Sequence, residues 1–206
     1  MASSAQKIEA YITPEEHERI EVETGVRHEW HDGEVFAMAG GTPVHNTIGG
    51  NVFASLHRQL RGKPCRPWGS DQQVKIPSRR NIVYPDVSVG CPPHEWDEQH
   101  RNALANPVAI IEVLSPSTEN YDRRRKFDLY ATIPSLRHYV LVWTEARYIE
   151  HFERVPNGWL QRSAPRDGEC LSLEGISCQL CLDEVYEATE VPIAADPEED
   201  TDEHGS

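Results

Sequence analysis

Apolar and polar positions alternate along the chain in two different periods, and the change from one to the other marks the elements. In "ITPEEHERIEVE", Thr13 stands as a helix N-cap, Pro14 at the first helical position and acids follow in the first turn, so a helix is predicted from there. "RHEWHDGEVFAMAG" then alternates on either side of Asp32-Gly33, the pattern of a tight hairpin. "TPVHNTIGGNVFASLHRQL" sets Ile48, Val52, Leu56 and Leu60 four apart, a core-facing helical stripe starting near His45. Three runs with strand character follow, "SDQQVKIP", "IVYPDVSVG" and "VAIIEVL", separated by Pro- and Arg-rich connections. "SPSTENYDRRRKFDLYATI" returns to a helical pattern opened by Ser/Thr caps, and "SLRHYVLVW" is again an apolar strand. Strand, helix, strand in this order favours a crossover with partly parallel pairing. "RYIEHFERV", "GWLQRSA" and "ECLSLEG" read as a meander extending the sheet, closed by a short helix over Leu182 to Ala188. The expectation is an α/β or α+β fold, a mixed sheet with helices on its faces.

Composition sharpens this picture in three places. The 206 residues suit one domain with tails, drawn as an N-terminal tail over 1–10, a domain over 11–189 and a disordered acidic tail over 190–206. No apolar run approaches the roughly 18 residues of a membrane span, and the first residues lack the apolar core of a signal peptide, so a cytoplasmic chain is expected. Five cysteines at irregular spacing, without an export signal, are expected to be reduced; Cys178 and Cys181 in "CQLC" have zinc half-site spacing but no second pair, and read better as small buried hydrophobes. The net charge is −14, but ten acids and no Lys or Arg lie from Asp183 onward, leaving −4 on residues 1–182. A near-neutral body tolerates an anionic partner where its basic residues cluster, as in "RRRK" at Arg123 to Lys126 and the pair Arg79 and Arg80.

The candidate chemistry lies where acids interrupt apolar strands. Asp86 in "VYPDVSV" and Glu112 in "AIIEVLS" occupy positions where a buried strand prefers Val or Ile. Adjacent strands lie about 4.8 Å apart, so two carboxylates at the same height are able to share a divalent ion. The competing account of each is a loop cap or a partner for arginine. His28 and His31 in "HEWH" are three apart rather than four, and the Gly40-Gly41 and Gly49-Gly50 pairs fit neither nucleotide fingerprint, which argues against a zincin helix and a P-loop.

"YPDVSV", "IIEVLSPST", "DRRRKFDLYA" and "RHYVLVW", in that order and preceded by "HEWHDGEVFAMAGGTPVHN", resemble the Uma family of restriction-endonuclease-like proteins in the PD-(D/E)XK nuclease superfamily, from about Ile12 to Glu187. The resemblance implies a four-stranded mixed core sheet flanked by helices, with an antiparallel C-terminal extension, and a Mg²⁺- or Mn²⁺-dependent endonuclease acting on DNA. It assigns Asp86 and Glu112 as metal ligands together with the Val113 carbonyl. The superfamily's lysine is expected two residues after Glu112, where Leu114 stands; Lys126 on the next helix is the candidate to replace it. Asp122 and Tyr130, four residues to either side of Lys126, are placed to hold it. Glu29 in the hairpin is a further candidate acid, with Arg27 as its alternative partner. His45 at the start of the second helix is a candidate phosphate or water contact, and Asp71 a further candidate site residue. A homodimer would let both strands of a duplex be cut. Two rivals are a non-catalytic nucleic-acid or protein interaction module on the same fold, and a structural protein whose buried acids are only paired.

Overall fold

The computed structural model describes residues 11–38, 40–114, 126–164 and 166–193, without the side chain of Arg79. Helix α1 (Pro14–Thr24) opens with a reciprocal capping box: Thr13 Oγ1 accepts the Glu16 N–H at 3.2 Å and Glu16 Oε2 accepts the Thr13 N–H at 2.9 Å. Strands β1 (His28–His31) and β2 (Glu34–Ala37) form the expected hairpin. Both of its turn residues have positive φ, 47° at Asp32 and 100° at Gly33, as the right-handed twist of a two-residue hairpin requires. Helix α2 (Pro43–Leu60) buries the predicted stripe, with Ile48, Val52 and Leu56 fully buried and Leu60 nearly so. Each such side chain contributes about 1.5–3 kcal/mol relative to exposure.

The remaining strands are β3 (Arg66–Gly69), β4 (Val74–Ile76), β5 (Asn81–Val83), β6 (Val87–Gly90), β7 (Pro107–Leu114), β8 (His138–Trp143), β9 (Ile149–Val155), β10 (Gly158–Ala164), β11 (Cys170–Leu173) and β12 (Cys178–Cys181). Helices α3 (Phe127–Tyr130) and α4 (Leu182–Val185) and a 3-10 turn over Pro77–Arg79 complete the described elements. The central sheet has the order β10-β9-β8-β7-β6-β3, with β7 and β8 parallel and the other pairs antiparallel. This is the expected α+β architecture with a mixed sheet. It has six strands rather than four because the β9–β10 hairpin adds to β8.

Strand β7 is buried on both faces, which explains its nearly continuous apolar run. Ala109, Ile111 and Val113 pack with the α2 stripe, whereas Ile110 and Leu114 pack with Tyr130, Ile133 and Leu136. Glu112 alternates onto the second of these faces.

Several expectations change. "IVYPDVSVG" is two strands: β5 joins a second sheet of order β2-β1-β5-β4, β6 the central one, and the break falls at Tyr84 to Asp86. "ECLSLEG" does not extend the central sheet, since β11 pairs with β12 as a separate ribbon. The closing helix is one turn, ending at Val185 rather than Ala188. The expected reduced cysteines are corrected to two disulfides, Cys65–Cys91 and Cys170–Cys181, with Cys178 free and buried. The cause is register. Arg66 faces Gly90 at the end of the β3–β6 ladder, so the next residues meet, and Cys170 faces Cys181 directly. The bridge at Cys181 also removes the zinc half-site. Val191 packs in the main core and the Arg147 N–H donates to the Pro192 carbonyl, so packing continues into residues assigned to the tail; residues 1–10 and 194–206 lie outside those described. "SPST", Asp122 and Arg123 to Arg125 likewise lie outside them.

Candidate active site

The register of β6 on β7 pairs Val87 with Ile111, so Asp86, one residue before Val87, stands across from Glu112, one residue after Ile111. The break at Pro85 leaves Asp86 at the entry of β6, where its Oδ2 accepts the Val113 N–H at 2.8 Å. No described residue donates to its Oδ1. Glu112 is only 3% exposed. Its Oε1 accepts from Lys126 Nζ at 3.2 Å and from the Tyr130 hydroxyl at 2.7 Å. Helix α3 and the residue before it thus supply two of the groups that offset the buried charge.

Leu114 explains why the lysine is not on the strand. It lies on the same face of β7 as Glu112, is 1% exposed and belongs to the apolar cluster with Tyr130 and Ile133. An ammonium there would lie in hydrocarbon, whereas Lys126, the residue before α3, keeps its side chain 16% exposed and still reaches Glu112 at 3.2 Å.

Glu29 comes from β1 and is held by His31, whose Nε2 donates to Oε2 at 3.0 Å. Burial pushes the Glu29 carboxyl up, but the His31 hydrogen bond and the Lys126 and His31 charges outweigh it and leave its pKa below the usual value. Tyr130 is pushed well above its usual pKa by burial first, then by the charges of Glu112 and Glu29. It therefore acts as a fixed donor. Glu29 therefore lies within electrostatic reach of Lys126 and Tyr130. Arg27, the alternative partner of Glu29, instead pairs with Asp71 at 3.2 Å and donates to the Ser70 carbonyl.

His45, in the first turn of α2, lies with Nε2 3.4 Å from Asp86 Oδ2. Its pKa is raised by the hydrogen bond to Asp86, against burial, with help from the Asp86 and Glu112 charges and the Val113 backbone. A cavity of about 220 Å³ opens beside it, lined among others by Asn46, Gly49, Gly50, Gly69 and Asp86. Gly49 and Gly50 leave the helix without side chains where it faces this cavity. Gly41 is required by close approach: a Cβ there would stand 2.6 Å from His45 Nδ1.

The structure therefore brings together Asp86, Glu112, Lys126, Tyr130, Glu29, His45 and Val113. Asp71, with a side chain 94% exposed, is engaged by Arg27 instead. His31 escapes sequence reading as a site residue; its position two after Glu29 on one strand face was the available signal. The glycine pair at Gly49 matters as open helix surface, which no nucleotide motif would reveal.

Two carboxylates on neighbouring strands are hard oxygen donors that suit Mg²⁺ or Mn²⁺. Among the described residues no group of three or more His, Cys, Asp or Glu is placed to hold a metal. A pair of carboxylates completed by water and substrate oxygens is the smaller donor set that Mg²⁺ takes.

Comparison with known proteins bears on the family and the fold. The model of the Uma2 family, described as "Putative restriction endonuclease", matches residues 14–183. The uncharacterised protein slr1290 of Synechocystis sp. is 34% identical over 176 residues, covering 85% of this chain and 91% of its own length. The uncharacterised protein sll1609 of the same organism is 29% identical over 144 residues, covering 70% and 81%. In fold, the chain is similar to the crystal structure of a putative nuclease of the DUF820 group from Anabaena variabilis, with a TM-score of 0.64 at 12% identity, covering 79% of this chain and 90% of that one. With the family model spanning most of the chain and a relative above 30% identity, the chain belongs to the Uma2 family of restriction-endonuclease-like proteins.

Proposed function

We propose that this protein is a Mg²⁺- or Mn²⁺-dependent endonuclease that hydrolyses phosphodiester bonds in DNA. The observation that carries the reading is the pairing of Asp86 with Glu112 across β6 and β7, with Lys126 Nζ 3.2 Å from the second carboxylate. Asp86, Glu112 and the Val113 carbonyl would hold the ion. When bound, it supplies Lewis acidity to the phosphoryl oxygens and lowers the pKa of water. Lys126 brings positive charge against the anionic transition state in a site where little water screens it. Tyr130 fixes the Glu112 carboxylate by donating to it. Glu29, kept ionised by His31 and Lys126, is able to take a proton from the attacking water. His45 and the open glycine face of α2 leave room for the phosphate backbone beside Asp86.

Purified protein should nick plasmid with Mg²⁺ or Mn²⁺, stop in chelator, and lose activity in Asp86→Ala and Glu112→Ala. A fully active Asp86→Ala protein overturns the mechanism. One observation favours a non-catalytic scaffold instead: Lys126 and Tyr130 already compensate Glu112 without a cation. Calorimetry separates the two, because a scaffold shows no Mn²⁺ binding that depends on Glu112.

A further inference from the structure

Away from the paired acids, the β9–β10 hairpin and the turn into β8 enclose a cavity of about 400 Å³ lined by Arg137, Arg154, Val155, Pro156, Gly158 and Trp159. No acid lines it, in a chain of net charge −14. Arg154 and Trp159 are direct cross-strand partners, and the guanidinium lies 4.5 Å from the indole centroid. Its Nε donates to the Leu136 carbonyl at 2.6 Å, and Nη2 to those of Ala131 and Ile133 at 2.8 and 3.0 Å. Those bonds fix the guanidinium plane, while Nη1 has no partner among the described residues. Arg137 is exposed, and its side chain makes no ion pair or hydrogen bond with a described residue. Both guanidinium groups line a cavity that no carboxylate lines, and burial, then the Arg137 charge, lower the Arg154 pKa. A bound anion would relieve that repulsion, and guanidinium forks match phosphate oxygens. One aromatic contact links the pocket wall to the segment that carries Lys126: the ring centroids of Trp159 and Phe127, the residue after Lys126, lie 5.5 Å apart.

We propose that Arg137, Arg154 and Trp159 form a phosphate-binding subsite for the nucleic-acid strand away from the cleaved bond, with a base stacked near the indole; this rests on the nucleic-acid substrate proposed above. Arg154 anchors three carbonyls of the fold, so Arg137 is the residue to test. A fluorescein-labelled single strand of about 12 nucleotides is titrated by anisotropy into the full chain, with Ca²⁺ present and over a series of salt concentrations. Arg137→Gln is expected to bind about five- to ten-fold more weakly, whatever the base sequence, and to reduce the slope of log affinity against log salt by about 0.7. Arg137→Lys, which keeps the charge but not the fork, should keep the slope and lose part of the affinity. Both variants should melt with the wild type, since the Arg137 side chain makes no bond with a described residue. Wild-type binding with an unchanged Arg137→Gln affinity and slope overturns the subsite and leaves the nuclease reading standing. Failure of the wild type to bind any oligonucleotide overturns both. Inorganic phosphate raising the melting temperature of wild type but not of Arg137→Gln, without competition by oligonucleotide, assigns the pocket to free phosphate and overturns the strand assignment.

Discussion

Replacing Glu112 by Gln separates the charge from the hydrogen bonds. The amide keeps an oxygen where Lys126 and Tyr130 now donate at 3.2 and 2.7 Å, so neither donor is orphaned. Hydrogen bonds to a charged group are worth about 1.5–3 kcal/mol against about 0.5–1.5 for neutral pairs, so the Tyr130 bond, which becomes a neutral pair, loses roughly 1–1.5 kcal/mol; the Lys126 bond stays charge-assisted but loses its ion-pair attraction, for about 2–3 kcal/mol in all. Against this, a group only 3% exposed no longer carries the several kcal/mol of carboxylate desolvation. The two effects nearly cancel, and the metal-free variant should lie within about 2 kcal/mol of wild type in urea unfolding. Cation binding should suffer far more, by about 100-fold or beyond, since even indirect partners of a metal site cost 10–100-fold. Urea melts with and without Mn²⁺ read both effects. At a metal concentration about 100 times its Kd the wild type gains about 2.7 kcal/mol, whereas the variant gains little at the same concentration. A metal-free loss above about 4 kcal/mol would show that the charge itself holds the fold. Equal stabilisation of both proteins by Mn²⁺, or equal nicking activity, would refute the assignment of Glu112 to the ion.

Tyr130→Phe leaves Glu112 with one bond fewer and should cost about 2 kcal/mol in unfolding while slowing nicking; unaltered stability and rate would show that the hydroxyl is idle. His100 and His151 are held near a pKa of about 4, chiefly by burial, whereas the unfolded chain takes up protons near 6.5. Their contribution is thus full above 6.5 and is lost as pH falls through 4, up to about 3 kcal/mol each, so a melting temperature flat from pH 7 to 4.5 would refute it. Denatured without reductant, the protein should show one reactive thiol, Cys178, and five after reduction; five at once would contradict both bridges. Removing the Cys65–Cys91 bridge, which spans 26 residues, should lower stability by about 3 kcal/mol in urea melts of a Cys65→Ser/Cys91→Ser protein.

What the sequence reveals depends on whether the information is local. The capping box at Thr13, the turn at Asp32-Gly33 and the α2 stripe are each written within a few residues, and each element forms as read. Strand-borne acids are legible for a related reason: an apolar run makes Asp86 and Glu112 stand out, although only the β6–β7 register shows that they meet. The cysteines fail the same test, because their bridges depend on the pairing of β3 with β6 and of β11 with β12. Arg27 and Asp71 also needed tertiary structure, since nothing near Glu29 in the chain indicates that its natural rival partner is drawn off to the β3–β4 turn.

Lys126 shows how the two kinds of information combine. An apolar residue at position 114 is a local fact, and the buried cluster around it explains why an ammonium could not replace it. Moving the cation onto the residue before α3 lets β7 remain apolar on both faces apart from Glu112. It also makes the site depend on the docking of α3, whose Phe127 packs against Tyr139, Phe152 and Trp159. Weakening that aromatic contact, for example with Phe127→Ala, should displace the lysine as well as the packing. Activity should then fall further than in a Val52→Ala protein with the same loss of stability on the α2 face, as measured by nicking rate against urea midpoint. If the two variants fall on one line, the position of Lys126 does not limit the reaction.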